Sequence, residues 1–337
     1  MVPLVSILIP SYNSETWIKS TIECALAQTW KNKEIIIVDD GSTDNTYSIA
    51  KQYESKYFKV ITQVNSGACV ARNRALSMSQ GEFIQWLDAD DLLASDKIEN
   101  QLSGSDLNSE SEVIHSCAWG YFYHRISKTK YYSNNLWQNL SPVKWLQISL
   151  GEGSFIPSHA WLVSRRLTEL AGPWDERLKR NQDGEYFCRV VASSEYVKFH
   201  ANAKCYYRKG NLFSISMSRS KEIVESLNLS NNLCIDHLLN LENNEVSRKA
   251  CANFLKRVNN KIHPTNVEII LENQKRIVDL GGEIVFPTKT KKFTIFKYIF
   301  GIKTALMLKE QLWNLEIIFR KKWDKLLAYL FEEKIKN

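Results

Sequence analysis

Apolar residues follow two different periods along the first hundred positions of the chain. Four short apolar runs are typical of strands buried on both faces of a sheet, and they lie at 5–9, 34–38, 58–62 and 82–87. The stretches between them predict helices, at 15–28, 44–55 and 68–78. Strands that alternate with helices of this length form βαβ units. We therefore predict an α/β fold with a mainly parallel, doubly wound sheet.

The remaining chain is patterned differently and ends in a basic helix. Residues 106–220 are rich in aromatic side chains, which indicate core and interface packing, with sugar stacking as the alternative for a single ring. Residues 221–287 are helical and polar, and a linker is predicted at 287–292. An apolar helical stripe follows, formed by Leu308, Leu312, Leu315, Phe319, Trp323, Leu326 and Leu330. These changes predict four parts: 1–105, 106–220, 221–287 and an amphipathic helix over 288–337.

Composition excludes several classes of protein. The 337 residues exceed the usual size of one domain, and 44% hydrophobic with 24% charged residues is ordinary globular usage, not that of a disordered or collagen-like chain. The seven cysteines are scattered without a Cys-x-x-Cys pair, which argues against a disulfide framework or a zinc site and favours a reducing, cytoplasmic setting. No uncharged apolar run is long enough to span a bilayer, and we interpret 4–9 as a strand rather than a signal peptide.

The net charge of +7 lies mostly in the tail. From Gly281 onward there are 12 Lys and Arg against 6 Asp and Glu, or +6, which leaves +1 for the first 280 residues. The basic helix either packs on the chain's own body or on a partner protomer in a homo-oligomer, or lies on an anionic membrane surface as a peripheral anchor at its inner face. Nucleic acid is disfavoured, because no basic and aromatic groove accompanies the charge.

Polar clusters follow three of the predicted strands, at 10–13, 39–42 and 88–91. Parallel strands present their carboxyl ends at one edge of the sheet, where ligands bind. Two acidic pairs at that edge repel each other unless a cation or a hydrogen-bond donor lies between them. An Asp-x-Asp sequence suits a hard divalent ion, Mg²⁺ or Mn²⁺, that keeps coordination positions for a substrate diphosphate. Two carboxylates alone would hold such an ion weakly, so we expect metal and nucleotide to bind together.

The usual phosphate-binding loops are missing from the sequence. There is no Gly-x-x-x-x-Gly-Lys-Ser/Thr loop, and Gly151-Glu152-Gly153 lacks the third glycine and the preceding strand of a dinucleotide fingerprint. Kinase, ATPase and dehydrogenase functions therefore lose their main support.

Taken in order, the segments 5–13, 37–44, 65–73 and 81–91 resemble the successive motifs of family 2 glycosyltransferases, which have the GT-A fold. A fainter similarity resumes over 171–189, which begins Ala171-Gly172-Pro173-Trp174. Each motif alone is weak, whereas four motifs in order at ordinary spacings are specific.

The resemblance implies roles for individual residues. Pro10, Tyr12 and Asn13 match the loop that packs on the nucleotide base and ribose. Asp40, with Asp39, matches the carboxylate that binds the uracil edge, and Gly67 and Arg72 lie in the motif beside the nucleotide. Asp88 and Asp90 match the Asp-x-Asp motif, with Asp90 as the direct metal ligand and Asp88 nearer the ribose or a metal-bound water.

The second half of the resemblance implies a catalytic base. Asp183 matches an acidic residue that opens a helix near the acceptor, although the family often has Glu-Asp where this chain has Gln182-Asp183. Inverting transfer needs one general base to take the proton from the attacking hydroxyl. Glu185 is the rival base, and a plain helix cap is the structural alternative for Asp183. His159 and Arg208 are weaker candidates for contacts with acceptor or phosphate.

These residues together imply an inverting, metal-dependent glycosyltransferase. It would move a sugar from a nucleotide-sugar donor, expected to be a UDP-sugar, to a hydroxyl of a glycan or lipid-linked acceptor, with Mn²⁺ or Mg²⁺ as cofactor. A sugar nucleotidyltransferase is the first alternative, disfavoured because the loop after the first strand lacks glycines and basic residues. A non-catalytic carbohydrate-binding protein on the same fold is the second.

Overall fold

The computed structural model describes residues 2–103, 111–209, 220–260, 262, 266–283, 319 and 322–326. Its first sheet has five strands: β1 (Val5–Ser11), β2 (Lys33–Asp39), β3 (Phe58–Thr62), β4 (Phe83–Trp86) and β8 (Val163–Ser164). Their order is β3-β2-β1-β4-β8; the first four are parallel and β8 runs antiparallel beside β4. The predicted mainly parallel α/β sheet is confirmed.

Local sequence explains this sheet. The strands are buried throughout their central residues, as the short apolar runs predict. Three helices connect the strands: α1 (Ile18–Leu26), α2 (Thr46–Lys51) and α3 (Ala68–Ser77). The chain moves outward from β1 to β3 and then returns to place β4 on the other side of β1. This reversal of direction opens a crevice at the carboxyl ends of β1 and β4, where open α/β sheets bind ligands.

A second sheet packs beside the first and is built from distant parts of the chain. Its strands are β5 (Leu92–Leu93), β6 (Val113–Phe122), β7 (Lys130–Tyr131) and β9 (Tyr196–Arg208), in the order β5-β9-β6-β7. The long strands β6 and β9 are parallel, with a register shift between Cys117 and Ala118. Because β5 pairs here and β8 pairs in the first sheet, the predicted parts 1–105 and 106–220 share strands.

Helices surround the two sheets and form the extension. Those of the central region are α4 (Lys97–Leu102), α5 (Pro142–Glu152), α6 (Arg165–Ala171) and α7 (Gln182–Ala192). The extension consists of α8 (Lys221–Leu241), α9 (Glu245–Asn259) and α10 (Val267–Asp279), which confirms the helical pattern predicted there. Helix α8 packs on α7 and α9 packs on α5. Within the described ranges, no helix combines the length and apolar character that crossing a membrane requires.

Part of the basic C-terminal stripe can be described. The linker at 287–292 and Leu308, Leu312, Leu315 and Leu330 lie outside the described residues. Phe319, Trp323 and Leu326 are helical and exposed. Between them Asp324 accepts hydrogen bonds from the backbone N–H groups of His124 and Arg125, at 2.9 and 3.2 Å. The Arg125 guanidinium completes the contact with an ion pair at 2.8 Å.

Candidate active site

The two carboxylates at the end of β2 are held by neighbouring loops. Asp40 accepts hydrogen bonds from the Gln63 side chain at 2.7 Å and from the backbone N–H groups of Ser66 and Gly67 at 2.9 and 2.8 Å. Asp39 accepts from the Ser42 backbone N–H at 3.2 Å and from the Ser42 hydroxyl. Both side chains are buried. This pair therefore shapes the loops that end β2 and begin α3, and the predicted contact with uracil stays a prediction.

The loop after β1 is fixed to the loop after β2. Asn13 adopts φ 45° and accepts a hydrogen bond from the Thr43 backbone N–H at 2.8 Å, while its own N–H donates to the Ser42 hydroxyl at 2.9 Å. Pro10 is buried in β1, whereas Tyr12 and Asn13 are exposed. An exposed aromatic ring on a rigid loop at the crevice suits contact with a planar base.

Arg72 lies at the centre of the crevice, on α3. The helix begins after Gly67, whose φ of 99° favours glycine because it lies outside the range of most residues. The Arg72 guanidinium donates to Asp88 at 2.8 Å and to the Gln182 side-chain oxygen at 3.1 Å, and it lies 4.4 Å from the Trp174 ring centroid. Arg72 thus joins the two acidic motifs that the sequence had placed in separate halves.

Asp88 follows β4 and is held from both sides. One carboxylate oxygen pairs with Arg72 and the other accepts from the Ser158 hydroxyl at 2.9 Å. Burial alone would raise the pKa of Asp88, but the Arg72 guanidinium outweighs it and the pKa lies below its ordinary value. Asp88 is therefore a carboxylate held by two partners, and its lowered pKa favours the ionised form.

Asp91 is held at the end of the Asp-x-Asp loop by contacts with two residues from distant parts of the chain. It accepts from the Arg208 backbone N–H at 2.7 Å and lies 3.0 Å from Nδ1 of His159. Burial would lower the pKa of His159, but the Asp91 carboxylate reverses this and raises it. His159 is fully buried, so its contact is with Asp91 rather than with a ligand in the crevice.

Arg208 also acts within the protein. Its Nε donates to the Asp90 backbone carbonyl at 2.7 Å, and its guanidinium lies 4.4 Å from the ring centroids of both Trp17 and Phe122. The side chain is therefore buried between two rings and holds the backbone of the Asp-x-Asp loop, instead of making the phosphate contact considered from sequence.

Asp183 lies in the first turn of α7 and shares the crevice with Asp88 and Arg72. Burial raises the pKa of Asp183 above its ordinary value; the Asp88 carboxylate raises it further, and Arg72 partly offsets the shift. A carboxylate with a raised pKa is a better proton acceptor, which is the property a general base needs. The structure thus brings Asp183 together with the end of β4, as the motif order predicts.

Glu185, the rival base, lies in a separate network. It is buried, accepts from Arg189 Nε at 2.8 Å, and lies 3.0 Å from His237 Nε2. Burial would raise the pKa of Glu185, but the hydrogen bonds from His237 and Arg189 lower it below its ordinary value. A buried carboxylate held by an ion pair with Arg189 and a hydrogen-bond contact with His237 is a structural group, so the geometry favours Asp183 as the candidate base.

Three residues of the crevice were not predicted as site residues. Ser158 binds Asp88, Trp174 lies against Arg72, and Tyr207 lies near the carboxylates of Asp91 and Asp183, which together with burial raise its pKa. The sequence did offer an indication of Trp174, since this residue lies in the segment of fainter family similarity at 171–189. The sequence offered no indication of Ser158 and Tyr207, because their positions in the crevice depend on long-range packing.

Comparisons with known proteins bear on the family and on the fold. Residues 6–169 match the family model described as Glycosyl transferase family 2. Over this region, which is just under half of the chain, the sequence is similar to family 2 glycosyltransferases.

Two relatives illustrate the similarity. TuaG of Bacillus subtilis (strain 168), provisionally named a teichuronic acid biosynthesis glycosyltransferase, is 43% identical over 35% of this chain and 46% of TuaG. WfaP of Escherichia coli, named a UDP-Glc:alpha-D-GlcNAc-diphosphoundecaprenol beta-1,3-glucosyltransferase, is 45% identical over 29% of this chain and 40% of WfaP. This chain therefore spans less than half the length of either relative.

A solved structure extends the comparison to the fold. The crystal structure of S. aureus TarS 1-349 in complex with UDP-GlcNAc matches with a TM-score of 0.63 at 17% identity, over 82% of this chain and 81% of that one. At this identity the likeness establishes the fold alone. It confirms the GT-A type α/β fold with a helical C-terminal extension.

Proposed function

We propose that this protein is an inverting glycosyltransferase that moves a sugar from a UDP-sugar to a hydroxyl of a glycan or lipid-linked acceptor. The observation that carries the proposal is the position of Asp183, whose raised pKa results from burial and from Asp88 in the crevice at the ends of β1 and β4. A structural carboxylate would be paired as Glu185 is, whereas Asp183 faces a like charge.

The chemical step follows from this arrangement. Asp183 accepts the proton of the acceptor hydroxyl while the hydroxyl oxygen forms a bond to the anomeric carbon of the donor sugar. The bond from that carbon to the diphosphate oxygen breaks on the opposite face, so the configuration inverts and UDP leaves. Arg72 holds Asp88 in place, and its positive charge keeps Asp183 ionised over a wider pH range than burial alone would allow.

Asp90 and Asp88 are the residues that would hold a divalent ion beside the donor diphosphate. Among the described residues, no group of three or more His, Cys, Asp and Glu side chains could hold a metal ion. Asp88 contacts Arg72 and Ser158, and Asp90 is the direct ligand that the resemblance to the Asp-x-Asp motif implies. A bound Mn²⁺ or Mg²⁺ would stabilise the charge that develops on the leaving diphosphate.

The donor class is inferred from two sources. Tyr12 is exposed at the mouth of the crevice, on a loop that Asn13 fixes to the end of β2, which suits a nucleoside. TarS in the structural comparison binds UDP-GlcNAc, and the name of WfaP gives UDP-Glc as donor. We therefore place uridine against Pro10, Tyr12 and Asn13, with Asp39 and Asp40 behind it.

A donor screen tests the proposal. Purified protein is incubated with a panel of nucleotide sugars in Mn²⁺, in Mg²⁺ and in EDTA, and released UDP and thermal stabilisation are measured. We expect release of UDP from one or a few UDP-sugars, dependent on the ion. Release of pyrophosphate in a parallel incubation with UTP and a sugar 1-phosphate would indicate a nucleotidyltransferase. Stabilisation by a nucleotide sugar without any turnover would indicate a binding protein.

We further propose that the basic C-terminal helix contacts an anionic membrane surface, at the cytoplasmic face. Phe319 and Trp323 are 69% and 55% exposed, while Asp324 attaches the same helix to residues 124 and 125. The two aromatic side chains therefore point away from the protein. Lys322 and Lys325, on the same short helical segment, are also exposed. Rings with flanking lysines are typical of helices that lie in a bilayer interface.

Sedimentation with liposomes decides between this proposal and packing on protein. The full chain should sediment with vesicles that contain anionic lipid, and Phe319→Ala with Trp323→Ala should abolish this. Tyr57→Ala, which removes another exposed ring, is the matched control. Equal binding by the double variant, or binding to neutral vesicles alone, would contradict the membrane proposal without affecting the catalytic one.

A further inference from the structure

Aromatic side chains cover one face of the second sheet. Trp119 and Tyr121 are two residues apart on β6, so they point to the same face. Tyr207 of β9 lies directly opposite Tyr121 in the strand register, and their ring centroids are 5.6 Å apart. Alternation along the two strands therefore builds a continuous cluster of rings from residues distant in sequence, in which Trp119 is buried and Tyr121 and Tyr207 are partly exposed.

Two more rings extend this surface toward solvent. The Phe155 ring lies 4.8 Å from Trp119, and the Tyr132 ring lies 6.1 Å from Tyr121. Phe155 and Tyr132 are 45% and 59% exposed. We name this set the aromatic platform; it consists of Trp119, Tyr121, Tyr132, Phe155 and Tyr207.

Two members of the aromatic platform, Tyr207 and Phe155, connect it to the catalytic crevice. The Tyr207 ring lies 6.0 Å from the His159 ring, and Nδ1 of His159 lies 3.0 Å from the Asp91 carboxylate. Phe155 begins the short segment that leads to Ser158, whose hydroxyl donates to Asp88 at 2.9 Å. A molecule lying on the outer rings would therefore extend toward the base and the donor.

We propose that the aromatic platform binds the terminal pyranose ring of the acceptor and presents one of its hydroxyls to Asp183. This inference rests on the proposed function and adds the acceptor class. Aromatic faces bury the C–H surface of a sugar ring, while phenol hydroxyls can bond to its hydroxyl groups. Lys209 Nζ lies 3.5 Å from the Tyr121 ring centroid, so a cation flanks the rings. Phenols and an ammonium group suit a sugar better than a polyprenyl chain.

Saturation-transfer NMR tests binding independently of turnover. The probes are methyl glucopyranoside, methyl galactopyranoside, methyl rhamnopyranoside and methyl N-acetylglucosaminide, each with UDP present, and ribitol serves as an acyclic polyol without a ring face. We expect saturation of the ring protons of at least one pyranoside. The double variant Tyr132→Ala with Phe155→Ala should lose it, while Tyr57→Ala, an exposed ring at the opposite end of the first sheet, should keep it.

Kinetics with the active donor provide the second readout. The double variant should lower kcat/KM for the best pyranoside acceptor by about tenfold or more, whereas Tyr57→Ala should stay within about twofold of wild type. Tyr132→Phe keeps the ring and should retain most of the activity. Because both truncated rings are largely exposed, near-ultraviolet circular dichroism should confirm that the double variant is folded.

The outcomes separate the two proposals. Pyranoside binding that the double variant retains, transfer to ribitol as fast as to any pyranoside, or no saturation of any pyranoside in the wild-type protein would each overturn the platform. Absence of UDP release from every nucleotide sugar would overturn the proposed function instead, whatever the NMR result.

Discussion

The ends of β2 and β4 carry the same sequence pattern and serve different purposes. Each strand is buried and carries aspartates at its carboxyl end, Asp39 and Asp40 at β2 and Asp88, Asp90 and Asp91 after β4. At the end of β2, Asp40 is fixed by three hydrogen bonds from its own surroundings. At the end of β4, Asp88 pairs with Arg72 and raises the pKa of Asp183. An acidic strand end therefore acquires a chemical role from the partners that tertiary structure brings to it.

The strongest test of this difference is Asp90→Asn at the end of β4. We expect donor turnover to fall by about a thousandfold, because a ligand for the ion that stabilises the leaving diphosphate is lost. UDP release at saturating Mn²⁺ is the measurement, and Asp96→Asn, an exposed aspartate just beyond β5, is the matched control. A loss smaller than about threefold would remove Asp90 from the mechanism.

Glu185→Gln separates the structural acid of α7 from the catalytic one. We expect the free energy of unfolding to fall by about 3 kcal/mol, because Arg189 and His237 lose a buried partner. Since the pKa of Glu185 is lowered in the folded state, this stabilisation is present at neutral pH and is lost as the pH falls through that lowered value.

Denaturant unfolding measures this loss. Glu54→Gln is the control, because the ion pair of Lys51 and Glu54 is exposed and solvent screens it. Turnover per folded molecule should change little in Glu185→Gln. A stable but inactive variant would make Glu185 the base after all.

Asp40→Asn tests the structural role assigned to the end of β2. An amide offers one acceptor oxygen where the carboxylate serves Gln63, Ser66 and Gly67, so we expect a loss of about 2 kcal/mol in unfolding free energy. The KM for the donor should also rise, as the loop before α3 loosens. Unchanged stability with a raised donor KM would assign Asp40 to direct nucleotide contact alone.

Gln182→Glu should have the smallest effect. It adds a negative charge 3.1 Å from Arg72 and next to Asp183, so it raises the pKa of Asp183 further and shifts the acid limb of activity to higher pH by less than about one unit. Gln52→Glu on the surface is the control. A shift to lower pH would contradict the electrostatic account of Asp183.

The first sheet and the polar residues at the carboxyl ends of its strands could be predicted from the sequence, because both depend on the local pattern of apolar and polar residues. The strand predicted over 58–62 is found as Phe58–Thr62, and the other three strands of the parallel core agree within two residues at either end. Helices are less well bounded: α1 begins three residues later than predicted, at Ile18, since Ser14 and Trp17 form turns first.

The second sheet and the aromatic platform could not be predicted from the sequence. Strands β6 and β9 pair in parallel across a long stretch of intervening chain, and no local period indicates such a pairing. The positions of Ser158 and Tyr207 in the crevice could not be predicted for the same reason. Asp183 was found only through resemblance to a family, whereas its difference from Glu185 needed the contacts of Arg189 and His237.

The pH dependence of sugar transfer in wild type and in Asp183→Asn tests the central claim most directly. With burial and Asp88 raising the pKa of Asp183, wild-type kcat/KM should fall on acidification along a limb whose midpoint lies above 3.8, the ordinary value for aspartate. The Asn variant should bind UDP as tightly as wild type, lose transfer by about a thousandfold, and show no such limb. Wild-type turnover in Asp183→Asn, or the same acid limb in its residual activity, would contradict the assignment of the base.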